Sequence, residues 1–131
     1  MDLKQFFANK QGTGVLASAD SEGKVNTAIY SRPHVFDDGT IAFVMRQRLT
    51  HHNLKSNPYA SYLFRESGSG YKGLRLHLKK TKEETDSTLI AEMTRGSLTP
   101  EEDRAKGPKY LVHFSIEKIL PLIGSGEQQG K

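Results

Sequence analysis

The chain has 131 residues and no Cys, with 19 Lys and Arg against 15 Asp and Glu, for a net charge of +4. Without Cys there is no disulfide, thiolate zinc site, iron–sulfur cluster or Cys nucleophile, a usage that fits a reducing compartment. The length suits one domain, and the basic excess is spread along the chain, which favours a small anionic ligand over nucleic acid.

Asp2 can cap a short helix that puts Leu3, Phe6 and Phe7 on one face and ends near Gly12. Residues 14–19 read as a strand, 20–23 as a turn, and 24–31 as a second strand with Val25, Thr27 and Ile29 on one face. Asp37-Asp38-Gly39 is a turn leading into a strand at 40–46. A short helical turn follows and stops at Asn57-Pro58. Residues 59–64 form a strand and 67–70 a flexible connection. Over 73–78 the alternation points Leu74, Leu76 and Leu78 inward, and Arg75 and His77 outward.

Thr81-Lys-Glu-Glu84 carries a capping-box pattern, predicting a helix with Leu89, Ile90 and Met93 toward the core and Gly96 past its end. Thr99-Pro-Glu-Glu102 repeats the pattern, with Pro100 at the first helical position. Residues 110–116 make the last strand. These elements predict a mainly β (α+β) domain over 1–124, six antiparallel strands forming a small barrel with a few short helices beside it. Residues 125–131 read as a flexible polar tail. No segment is long and apolar enough for a membrane span and no signal peptide is read, so a cytoplasmic location is expected.

The chemistry concentrates where the strand at 41–45 runs into Arg46, Arg48, Thr50, His51, His52 and Asn53. Thr50 is the expected helix N-cap, which would leave free backbone N–H groups at the helix start. Arg can grip a phosphate bidentately, so cations beside those donors predict an anion pocket. His51 and His52 point about 100° apart on a helix and do not converge on a metal. No metal site is therefore expected, and the two should border the anion or lie on the surface. Ser31 and His34 lack a nucleophile elbow or a third partner, and 67–70 lacks the Gly-Lys-Ser/Thr of a Walker loop. No catalytic residue is assigned.

The order of these pieces resembles the FMN-binding split-barrel proteins related to pyridoxamine 5′-phosphate oxidase. It is carried by Tyr30-Ser-Arg-Pro-His-Val35, Ile41-Ala-Phe-Val-Met45, Thr50-His-His-Asn-Leu-Lys-Ser-Asn-Pro58, Tyr59-Ala-Ser-Tyr-Leu-Phe64 and Gly73-Leu-Arg-Leu-His-Leu78. The most specific piece is Leu54-x-x-Asn57-Pro58 between the anion segment and an apolar strand. The resemblance implies a six-stranded split β-barrel and a homodimer holding FMN at its interface. By that match Tyr30, Ser31 and Arg32 flank the isoalloxazine, Met45 and Arg46 pass the ribityl chain, and Arg48, Leu49 and Thr50 hold the phosphate. Asn53 stands close behind, and Tyr71 and Lys72 reach in from the opposite subunit. A cation near the ring's N1–O2 edge would favour the reduced flavin, and Arg32 is the expected residue.

The chain departs from the oxidases themselves. It has Thr50 where they typically place Lys, no Arg–His pair near its end, and no Trp. A flavin reductase or electron-transfer flavoprotein, with a small-molecule electron donor or acceptor, is expected instead. The alternative is a non-catalytic module for flavin or another phosphorylated ligand. Relatives of this barrel also bind deazaflavin F420 or haem.

Overall fold

The computed structural model describes residues 1–85, 88–93 and 99–124. In chain order the elements are α1 (Leu3–Phe7), β1 (Gly12–Ala19), β2 (Val25–Ile29), β3 (His34–Val35) and β4 (Ile41–Arg46). Then come α2 (Leu49–Ser56), β5 (Tyr59–Glu66), β6 (Gly73–Glu84), α3 (Thr88–Met93), α4 (Pro100–Ala105) and β7 (Lys109–Pro121). The strands form one sheet in the order β2-β1-β5-β6-β7-β4-β3, antiparallel throughout. The domain is therefore mainly β with a few short helices, as its alternating strands predicted.

The strand count differs from expectation. There are seven strands, because His34–Val35 pairs with Ala42 and Ile41 as a short ladder that two residues could not announce. The sheet does not close, since β2 and β3 stand at its two ends. It nevertheless curls. β4 and β5 are separated by β6 and β7, yet the rings of Phe43 and Tyr62 lie 4.9 Å apart across the interior.

That interior is one apolar cluster. Leu16 comes from β1, Phe43 and Met45 from β4, Tyr62 and Phe64 from β5, and Leu74, Leu76 and Leu78 from β6. Val112 and Phe114 of β7 join them, and α1 adds Leu3 and Phe7, its start capped by Asp2 on the Gln5 amide. The period-2 alternation of β6 is what delivers three leucines to one side.

Thr81-Lys-Glu-Glu84 does not open a helix. These residues extend β6, where Lys80, Lys82, Glu83 and Glu84 pair with Phe114, His113, Val112 and Leu111 of β7. A capping box works only on amides left free at a helix start, and ladder pairing with a long neighbouring strand outcompetes it. The helix that follows begins at Thr88 and does bring Ile90 against Ala42 and Leu111. Gly96 and the tail lie outside the described residues. Val25 and Ile29 share a face of β2 as expected, but that face is open, at 72% and 73% exposure.

Candidate ligand-binding clefts

The start of α2 lies two residues earlier than the sequence suggested. Arg48, not Thr50, is the N-cap, in extended conformation and with no side-chain capping bond. The Arg48 amide donates to the Arg46 carbonyl at 2.8 Å, a tight turn that ends β4, and the His52 amide makes the first helical bond to the Arg48 carbonyl at 2.9 Å. Thr50 therefore falls in the first turn, only 3% exposed. The amides of Leu49, Thr50 and His51 have no acceptor within the helix, and no acidic side chain stands in that turn. An uncapped, positive helix end beside an Arg is an anion-binding arrangement.

Two clefts meet here. The smaller, about 370 Å³, lies against β2 and the α2 start and is lined by Asn26, Ala28, Arg48, Leu49 and Thr50 among others. The larger, about 480 Å³, opens toward Phe7, Arg32, Pro33, His34, Phe43 and Lys109. Tyr30, Ser31, Val44 and Arg46 line both, so the two adjoin. Each has the size of a small-molecule site.

Tyr30 is the hinge of this arrangement. Its burial raises the phenol's pKa, against a hydrogen bond with Thr50 and the nearby charge of Arg48. The backbone around it is held from inside the sheet, where the Tyr62 hydroxyl donates to the Tyr30 and Ser31 carbonyls at 3.2 and 3.1 Å. Gly14 makes that reach possible, because a Cβ there would run into the Tyr62 hydroxyl and the Tyr30 carbonyl. Burial in turn pushes the Tyr62 phenol far up, keeping it a neutral donor.

The other expected site residues divide. Arg32 lines the larger cleft and donates to the Phe7 carbonyl at 3.0 Å. Arg46 lines both clefts, but its guanidinium is committed to α4. It bonds the Asp103 carboxylate at 2.5 Å and the carbonyls of Asp103 and Gly107 at 3.0 and 2.8 Å. Met45 turns into the core. Asn53 is buried beneath α2, where its amide donates to Ser18 at 3.1 Å and pins the helix to β1. Tyr71 and Lys72 are exposed in the β5–β6 connection and line neither cleft, Tyr71 lying under Arg65.

His51 is neither at the anion nor on the surface. It is 1% exposed, stacked on Tyr110 with ring centroids 4.1 Å apart, and its Nε2 lies 3.2 Å from both Glu83 carboxylate oxygens. Its Nδ1 is buried without a partner. Burial raises the Glu83 pKa, but bonds from Lys80 and His51 outweigh this and hold it below the ordinary value. Among the described residues no His, Asp and Glu cluster could hold a metal.

Sequence reasoning missed several lining residues. Asn26 and Ala28 face α2 as the alternate set of β2, a signal the strand's period contained. Val44 and Phe43 carry only a strand pattern in the sequence. Lys109 carried no local signal, since it enters through its pairing opposite Arg46 and its bond to Asp103 at 2.8 Å. His34 lines the larger cleft, and burial, aided by Lys4, lowers its pKa.

No protein-family profile matches the chain, and no curated protein sequence does. Solved structures do. A crystal structure of an FMN-binding protein from Syntrophomonas wolfei subsp. wolfei matches with a TM-score of 0.73 at 18% identity, over 92% of this chain and 84% of that one. A candidate pyridoxamine 5′-phosphate oxidase from Lactobacillus delbrueckii matches at 0.65 and 14%, over 92% of both chains. The fold is that of the pyridoxamine 5′-phosphate oxidase-like proteins. HutZ, the heme storage protein from Vibrio cholerae, also has it, with a TM-score of 0.68 and 19% identity over 92% of each chain. Proteins of this fold are thus named for different ligands, so the likeness settles architecture and the ligand must be argued from the clefts. No described helix is long and apolar enough to cross a membrane.

Proposed function

We propose that the chain binds FMN and works as a flavin-dependent reductase or electron-transfer protein, distinct from pyridoxamine 5′-phosphate oxidase. The observation that carries this is the uncapped start of α2, with Arg48 beside it, opening into a cleft that adjoins a larger one walled by Tyr30, Pro33 and Phe43. FMN has the matching shape, a dianionic phosphate joined by a flexible chain to a planar, largely apolar ring. The amides of Leu49 and Thr50 and the Arg48 guanidinium would hold the phosphate. The 30–32 backbone, braced by Tyr62, would run along the ring, with the Tyr30 hydroxyl between the two parts. A bound flavin supplies the hydride or single-electron chemistry, and the chain's own task is to bind, orient and exclude water. Arg46 lines both clefts while tied to Asp103, which distinguishes it from Arg48.

A homodimer belongs to the same proposal. Ile29 and Leu49 stand exposed at the rim of the smaller cleft, and Val15 and Leu63 continue the apolar row from Ile29 across β1 and β5. A second copy seated on that face would cover it and close the cleft, with the partner's Tyr71 and Lys72 as the contributed side chains. A cytoplasmic location fits the Cys-free chain.

The test is direct. The purified protein should be yellow, its flavin absorbance bleached by dithionite or a reduced nicotinamide, and the released chromophore should have the mass of FMN. Deazaflavin or heme in its place would replace the cofactor and keep the fold. A colourless chain that also ignores added FMN ends the proposal.

A further inference from the structure

We infer that His51 is a positioning residue for the phosphate of FMN, held by Glu83 so that the first turn of α2 presents its free amides to that group. This rests on the flavin reading and goes beyond it, because His51 lines neither cleft.

The strand that carries Glu83 is shaped to reach α2. Up to Lys80, the even-numbered residues of β6 point inward, and Lys80 stands opposite Phe114. The register then slips at Thr81, so that Lys82 stands opposite His113 and Glu83 opposite Val112. Val112 and Phe114 are both core residues, so the extra residue turns Glu83 to the inner face, which regular alternation would have denied it. It also brings Lys80 and Glu83 onto one face, where the Lys80 ammonium donates to the carboxylate at 2.8 Å. The Thr81 hydroxyl donates to the His113 carbonyl at 3.3 Å beside the irregularity. Bulges commonly re-aim one side chain, and here it is the carboxylate that meets His51.

The contact leaves His51 with one nitrogen bare. An ionised carboxylate only accepts, so Nε2 carries the hydrogen toward the two Glu83 oxygens at 3.2 Å, and Nδ1 remains a buried acceptor without a donor. A Phe ring could stack on Tyr110 in the same way and would leave no bare nitrogen. What Phe cannot do is bond Glu83. The imidazole is therefore placed for that bond rather than to fill space.

The bond matters because of where His51 stands. It is the third residue of α2, in a first turn with no side-chain cap. Gripping a phosphate requires several amides aimed at one point. Contacts from other strands fix that turn instead: Thr50 meets Tyr30 of the adjoining segment, and His51 meets Glu83 of β6. Asn53 pins the next turn to Ser18 at 3.1 Å.

The test titrates the cofactor-free protein with FMN and with riboflavin, which shares the ring and the ribityl chain. His51→Phe should weaken FMN about tenfold, the scale of one hydrogen bond to a charged group, and shift riboflavin by less than about twofold. His51→Gln, which can still donate to Glu83, should recover most of the FMN loss. Glu83→Ala keeps the imidazole stacked on Tyr110 but removes its acceptor, so it should repeat the His51→Phe result, and it carries the test if His51→Phe does not fold. Unchanged FMN affinity in a folded variant would overturn the inference. So would equal losses for the two ligands, because a merely structural side chain does not single out the phosphate, or a His51→Gln variant no tighter for FMN than His51→Phe. Any of these in a protein that takes up FMN when unaltered sinks only this inference, whereas an unaltered chain that never takes up FMN sinks the reading beneath it as well.

Discussion

The helices α2 and α4 begin in opposite ways. At α4 every local device is present. The Thr99 hydroxyl accepts from the Glu102 amide at 3.1 Å, the Glu102 carboxylate accepts from the Thr99 amide at 2.9 Å, and Pro100 opens the helix among acidic residues. At α2 there is no side-chain cap and no acid, and the residue in the capping position is a cation. The arginines follow the same division: Arg46 is closed off by α4, whereas Arg48 faces the cleft and has no ion pair among the described residues. Where a chain can cap a helix and does not, the open amides are available to a ligand. One helix start satisfies itself; the other leaves its first amides without a side-chain cap.

Making α2 resemble α4 should have the largest effect. Arg48→Asp supplies an N-cap and a favourable charge for the dipole, so the cofactor-free protein should gain up to about 1 kcal/mol in denaturant titrations. The same change removes a charge-assisted bond and adds a repelling charge, so FMN affinity should fall by about 3 kcal/mol or more. Stability and binding moving in opposite directions is the signature to look for; if both fall, the α2 start is only structural.

Arg48→Ala should be gentler, weakening FMN by about 1–3 kcal/mol. Riboflavin, which lacks the phosphate, should scarcely notice. Equal losses for the two ligands, measured by fluorescence titration, would remove Arg48 from the phosphate. On the other side of the comparison, Thr99→Ala should cost about 1 kcal/mol of stability and leave FMN affinity unchanged.

The smallest effect is one of pH. Bonds from Lys109 and then Arg46 hold the Asp103 carboxyl below its ordinary value. A carboxylate with a lowered folded-state pKa contributes stability above its unfolded pKa of about 3.9, and loses it as pH falls further. Thermal melting below that pH should drop less steeply in Asp103→Asn than in the unaltered chain. Parallel curves would mean that the α4 anchor contributes nothing to acid stability.

Much of the architecture was readable along the chain because its signals are local. The alternation of Leu74, Leu76 and Leu78, the Asp37-Asp38-Gly39 turn, the Asn57-Pro58 stop and the Thr99 capping box each depend on neighbours a few residues away, and each sits where expected. The Thr81 box followed the same local grammar and misled, because a β7 partner about 30 residues onward claimed its backbone. His51 looked like a surface or anion residue until Tyr110 and Glu83, from two other strands, enclosed it.

The sequence by itself determined a β-rich chain with a cationic corner where β4 becomes α2, since strand period, breaker residues and charge are properties of short segments. Only the tertiary structure decided which cations are available there. Asp103 reaches Arg46 from 57 residues away and Lys109 arrives by strand pairing, and a carboxylate that arrives through folding neutralises a charge that no local pattern reveals as paired.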